Sequence, residues 1–500
     1  MKQKWYLLAL VSAALVCQIA QAGVDTVRVS EAFREASVAA NSDRELAPDQ
    51  PPDQRLAAGM QLTAHVARSH TRDFIRRPLT SVGNLLAATF TGATGIVKEL
   101  ALDFVLVPRL ASKAARPLSS SRGMDIEEWE NDLDRITGTE RTRGQMKLLV
   151  DGEAFFDRLI AEIAAARRSI EIRTYIFDND DYAVAIADLL RRRSREVAVT
   201  VMADGLGTIG GTLATADSQP ADYVMPVSMG AYLKEGSGVR LQMLGNTWFM
   251  GDHTKTYIFD ERVAFLGGMN IGREYRYDWH DIMVELTGPV VGELSSEAAQ
   301  AAREDRLGDL ALLGSTKRTP RTDGAEGGQE LRLLRTRPHD AQIYRAQLEA
   351  IRRAEKHIFV QNAYLGDDQI IYELAKARRR GVDVRVILPA RPDSELVRRS
   401  NALAINTLRR FGVRVYLYPG MTHVKAAIYD GWACFGTANF DRLSLRINKE
   451  VNIATSDPAF VGSLRAQVFD VDFARSREVV DDEPTGASDH LYERIVDILL

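Results

Sequence analysis

The chain has 500 residues, 45% hydrophobic and 26% charged, which excludes a disordered or fibrous protein and points to about two to three folded units. A formal net charge of −4 offers none of the basic footprint on which nucleic-acid binding rests, so no nucleic-acid partner is expected. Two cysteines, Cys17 and Cys434, build no disulfide framework.

Lys2 and Lys4 precede an apolar stretch from Trp5 to Ile19, which Ala20-Gln21-Ala22 closes with a small-x-small pattern. This is the layout of a secretory signal peptide, residues 1–22, and it predicts export to the periplasm. The apolar stretch falls short of the ~20 residues of a spanning helix, and an uncleaved anchor is the alternative. Cys17 follows Val16 rather than a small residue, which argues against a lipoprotein. Cleavage removes Lys2 and Lys4 and takes the formal charge from −4 to −6. Residues 23–140 read as a mostly helical N-terminal region. Within it Leu79–Val97 carries no charge but is rich in Thr and Gly. It is read as a helix packed on the core, with a membrane-facing segment as the alternative.

From Met146 strands and helices alternate, twice in the same order. The first half (residues 141–313) predicts a helix over Phe155–Arg168, a strand over Ser169–Phe177, a helix over Tyr182–Arg195 and a strand over Val197–Asp204. The second (residues 330–478) predicts helix Gln342–Lys356, strand His357–Leu365, helix Gln369–Arg380 and strand Val382–Pro389. Alternation on this scale argues an α/β sheet flanked by helices, and its repetition an internal duplication. The aperiodic, Gly- and Thr-rich stretch 314–329 is the linker, and 479–500 a C-terminal tail. Arg191–Arg193 and Arg378–Arg380 close helices, where they complement the dipole.

Each half then reaches one motif. The first is His253-Thr-Lys255 with Asp260 and, later, Gly267-Gly268-Met-Asn270; the second is His423-Val-Lys425 with Asp430 and Gly436-Thr-Ala-Asn439. In an extended run, residues two apart face one side, so each His and Lys share a face. Two imidazoles, two ammonium groups and two amides suit a phosphodiester. Lys255, Lys425, Asn270 and Asn439 can hold its oxygens. One neutral imidazole can attack phosphorus while the other, protonated, supplies the leaving oxygen. Asp260 and Asp430 complete the candidate catalytic set as ties that hold the motif down. Asp281 lies 28 residues after His253 and Glu450 lies 27 after His423, each opening an apolar strand. Such carboxylates orient histidines by fixing their tautomer.

Gly205-Leu-Gly207-Thr-Ile-Gly210 matches a dinucleotide fingerprint and follows a strand, but no periodic helix or distal acid accompanies it, so it reads as a loop. No zinc-type spacing is present, and no metal or cofactor is expected.

The doubled His-x-Lys-x4-Asp motif resembles the signature of the phospholipase D superfamily, over roughly Met146–Ala474. AFLGGMNIGREY, WHDIMVELTGPVV and GTANFDRLSLRINKEVNI are most similar to stretches of bacterial cardiolipin synthases. The resemblance implies two phospholipase D-like repeats, each a mixed sheet flanked by helices, with one cleft at their interface and no metal. It makes His253 the nucleophile and His423 the acid, and it crosses the orienting carboxylates, Glu450 to His253 and Asp281 to His423. The paired N-terminal transmembrane helices usual in that family are missing. Phosphatidyl transfer from phosphatidylglycerol to a lipid alcohol is the leading expectation, and hydrolysis by water the alternative. A nuclease or an idle membrane scaffold fits less well. A phospholipid substrate needs a membrane surface, for which Leu79–Val107 and the amphipathic His490–Leu500 are candidates.

Overall fold

The computed structural model describes residues 52–79, 81–82, 107–112, 114–211, 215–246, 250–313 and 328–486. The signal-like segment, most of the uncharged run and its extension as far as residue 106, residues 314–327 of the linker and His490–Leu500 lie outside the described residues.

Seven strands belong to the first half: β1 (Thr142–Val150), β2 (Ser169–Thr174), β3 (Ala198–Asp204), β4 (Arg240–Leu244), β5 (Thr256–Phe259), β6 (Val263–Gly267) and β7 (Ile282–Thr287). The second half follows with β8 (Gln329–Arg337), β9 (Asp340–Ala341), β10 (His357–Asn362), β11 (Asp383–Pro389), β12 (Arg414–Tyr418), β13 (Lys425–Tyr429), β14 (Trp432–Gly436), β15 (Glu450–Thr455) and β16 (Arg477–Glu478). They form one sheet rather than two, in the order β16-β12-β11-β10-β13-β14-β15-β8-β1-β7-β6-β5-β2-β3-β4. Read outward from the central β8–β1 pair, β15-β14-β13-β10-β11-β12 repeats β7-β6-β5-β2-β3-β4, so the duplication is a property of the fold. In both halves three parallel strands (β2–β4, β10–β12) abut an antiparallel meander.

Local signals place the helices. Asp180 caps Asp181–Arg193 through Ala183 N–H, and Asp367 caps Asp368–Arg380 through Ile370 N–H, at matching points of the repeat. Each half has its own core, around Phe155, Phe156 and Tyr257 in one and Ile351, Leu374 and Trp432 in the other. A third cluster, with Leu286, Leu331 and Ile453, spans the central strands and belongs to both.

Three local expectations change. The histidines precede the strands rather than lying in them: β5 begins at Thr256, after Lys255, and β13 at Lys425 itself. The glycine-rich stretch is a short helix, Gly205–Gly211, rather than a loop. Residues 23–140, whose composition and position suggest a separate region, pack on the rest of the chain where they are described. The Ile126–Thr137 helix buries Trp129 edge-on against Trp432, centroids 5.2 Å apart, in the core of the second half. Arg332, 1% exposed, binds Glu130 and Asp134 of the same helix.

Candidate active site

The two halves exchange backbone bonds at the motifs. His253 N–H donates to Lys449 O (2.9 Å) and Lys449 N–H to Gly251 O (3.0 Å). Symmetrically, His423 N–H donates to His280 O (2.7 Å) and His280 N–H to Met421 O (3.1 Å). Each histidine is therefore pinned to the other half beside that half's orienting carboxylate. The pairs follow: His253 Nδ1 lies 2.9 Å from Glu450 Oε1, and His423 Nδ1 lies 2.7 Å from Asp281 Oδ2. With Nδ1–H donated to a carboxylate, Nε2 is left for chemistry in the cleft.

Small residues make room for these pairs. A Cβ on Gly268 would sit 2.4 Å from Asp281 Oδ2. Thr437, in the matching turn, donates its hydroxyl to Glu450. Rings hold the imidazoles from the side, Tyr175 against His253 (4.8 Å) and Trp279 against His423 (5.1 Å). Nothing in the motif announces Tyr175 or Trp279, because their contacts form only on folding.

Burial and the Lys255 and Lys425 ammonium groups hold His253 well below its ordinary 6.5, and burial with the same two charges does so for His423. Burial lowers Lys255 to about 7 and Lys425 to about 8, against the opposing pull of the cleft carboxylates. It raises Asp281 to about 7 and Glu450 to about 8. Each ring feels both lysines, so the two motifs share one electrostatic site.

A cavity of about 480 Å³ opens over this site, lined by His253, His423, Asn270 and Asn439 among others. Lys255 and Lys425 do not line it; each sits behind, its Nζ donating to the carbonyl of its own histidine at 2.8 and 2.7 Å. Asn270 accepts at Oδ1 from Thr174 and Ile176 N–H and donates to Tyr275 Oη. Asn439 keeps a buried Oδ1 without a hydrogen-bond partner.

Asp260 and Asp430 do not line the cavity; their carboxylates serve backbone donors. Asp260 accepts from the backbone N–H groups of Arg167, Arg168 and Ser169. Asp430 accepts from Met124, Glu355, Lys356 and His357. Both take left-handed φ, 55° and 52°, which Asp tolerates. Among the described residues no group of three or more His, Cys, Asp or Glu side chains is placed to hold a metal ion.

Behind the motifs lies a buried charge set that sequence reasoning missed. Arg173, 1% exposed, pairs with Asp252 (2.7 Å) and Glu297, anchoring the residue before His253.

A duplicated α/β sheet carrying two crossed histidine–carboxylate pairs in one cleft defines an enzyme of the phospholipase D type, a phosphatidyltransferase of phospholipids. Residues 159–305 and 348–472, more than half of the chain, match the family described as "Cardiolipin synthase, PLD-like domain", and the chain belongs to that family. It is 32% identical over 363 residues to cardiolipin synthase A of Pseudomonas entomophila (strain L48), covering 68% of this chain and 70% of the relative. It is 30% identical over 384 residues to cardiolipin synthase A of Pseudomonas aeruginosa (strain LESB58), covering 74% of each. A crystal structure of phosphatidylserine synthase from Haemophilus influenzae Rd KW20 shares the fold, with a TM-score of 0.52 at 14% identity over 71% of this chain and 91% of that one.

Proposed function

We propose that the protein makes cardiolipin from phosphatidylglycerol through a phosphohistidine. The observation that carries the mechanism is the pair of crossed His–carboxylate contacts, which leaves two Nε2 atoms for one phosphorus. His253 Nε2 attacks the phosphorus of the donor lipid, and the bond to the headgroup glycerol oxygen breaks as that oxygen takes a proton from His423. The hydroxyl of a second phosphatidylglycerol then gives its proton to His423 and attacks the same phosphorus, and His253 leaves. The anionic phosphodiester offsets the lysine charges and lets His423 carry its proton. The cardiolipin synthase A relatives support the lipid assignment.

The test is to incubate purified protein with phosphatidylglycerol vesicles. Cardiolipin and free glycerol should appear in equal amounts. Phosphatidic acid in place of cardiolipin makes water the acceptor and overturns the synthase reading. His423→Ala should accumulate phosphoenzyme and His253→Ala should not; the reverse pattern exchanges their roles.

The signal-like N-terminus supports a periplasmic site of action at a membrane face. A periplasm-dependent reporter fused after Glu330 should be active, and a silent one rules export out. Among the described residues no helix is long and apolar enough to cross a membrane.

A further inference from the structure

The helix Pro52–Arg76 lies outside both stretches that match the family, yet the first half is shaped to receive it. A Cβ on Gly205 would come within 2.0 Å of the His65 ring, and one on Gly245 within 2.3 Å of Arg72 Nη2. Each glycine is the gap into which one side chain of the helix fits. His65 Nε2 lies 3.0 Å from Asn246 Oδ1, and Arg72 binds Asp305 at 2.6 Å. Asn246 continues inward: its Nδ2 donates to Asp204, which also accepts Asp252 N–H, the residue before His253. The helix is thus keyed by a buried polar relay to the motif backbone. Its inward-facing Leu62, 8% exposed, borders the catalytic cavity beside Leu206, Gly207 and Gly210 of the glycine-rich helix.

The lining of the cavity is mixed: Leu62 and Leu206, on two helices packed together, contribute apolar surface with Ile176 and Ala216, and Asp178, Glu274, Asp393 and Asp441 contribute carboxylates. Apolar lining suits hydrocarbon; carboxylates suit hydroxyl groups and repel phosphate.

We propose that Leu62 is a specificity-determining residue, and that this helix completes an apolar subsite for the glycerol backbone and first acyl methylenes of the donor lipid. The proposal rests on the phospholipid reading above. His65 is a positioning residue, acting through the seat of the helix.

The experiment compares kcat/KM for dioctanoyl phosphatidylglycerol with that for bis(p-nitrophenyl) phosphate, which has no acyl chain. Leu62→Trp fills the subsite and His65→Ala loosens the helix by a different route. Each should lower the lipid-to-diester ratio by about tenfold or more, the low end of the discrimination a hydrophobic pocket gives for a single methylene. A ratio within twofold of wild type in both variants overturns the proposal, as does equal loss on the two substrates. Failure of the phospholipid reading shows itself separately, as absence of lipid turnover by the wild-type protein.

Discussion

Glu450, opening β15 of the second half, lies 2.9 Å from His253 Nδ1 in the first, and Asp281, the residue before β7, lies 2.7 Å from His423 Nδ1 in return. Neither half holds a complete histidine site. Glu450→Gln and Asp281→Asn keep the shape but put an amide, which cannot ionise when the imidazole becomes charged, where the carboxyl fixes the tautomer. Each should lower kcat by about 10²–10⁴-fold, the usual span of acid–base assistance. Initial rates and circular dichroism on both variants check this; near-wild-type turnover in either sinks the orienting role.

Asp260 and Asp430 should behave oppositely, losing stability before chemistry. A charged acceptor serving several backbone donors contributes about 1.5–3 kcal/mol for a single bond, and truncation strands the rest. Asp430→Ala should cost more than Asp260→Ala, because Asp430 also holds Met124 and with it the N-terminal segment. Urea unfolding gives the order. Folded variants that lose activity without losing stability would contradict it.

The repeat and its paired motifs are legible because they are local: His, Lys and Asp at fixed spacing, alternating strands and helices, and Asp281 and Glu450 at matching distances. The crossing of the carboxylates came only from resemblance, since spacing cannot say which half a side chain faces. What stayed hidden depends on long-range packing. Trp129 gives no sign in its own helix that Trp432 will receive it. Gly205–Gly211 reads as a loop because its glycines are conspicuous, but it folds as a short helix in which Gly205 is a seat for His65. The strands begin after the histidines because those residues bond to the other half instead of to a hairpin partner.

The pH dependence of turnover follows from burial. In the free enzyme Lys255 sits at about 7 and Lys425 at about 8, while Asp281 and Glu450 ionise over the same range, so rising pH both removes positive charge and adds negative charge at the site that attracts the phosphodiester. kcat/KM, which reports the free enzyme, should fall above about pH 7–8. Bound anion favours the ammonium forms, so the alkaline limb of kcat should lie at higher pH. The acid limb should lie below 6.5, where the nucleophilic imidazole protonates. Coincident alkaline limbs for kcat and kcat/KM count against the lysine assignment.

His280 precedes Asp281 and is 6% exposed, with its ring stacked on Tyr418. Nδ1 lies 2.6 Å from Asp151 of the first half and Nε2 2.8 Å from Asp472 of the second. Its backbone holds Met421 and His423, so the ring clamps the segment that presents one catalytic histidine. Burial opposes the charge, but the hydrogen bonds to Asp151 and Asp472 outweigh it and raise the imidazolium from 6.5 to about 9. The folded value lies above the unfolded one. The stabilisation is therefore complete below about pH 6.5 and is lost as pH rises through about 9, a swing of about 3 kcal/mol. Unfolding free energies of the wild type and of His280→Gln, measured in urea from pH 6 to pH 10, isolate it, because other titrating groups contribute alike to both. The wild-type advantage should shrink by about 3 kcal/mol across that window. An advantage that stays constant with pH means the ring is held neutral, and one that grows with pH reverses the sign of the linkage.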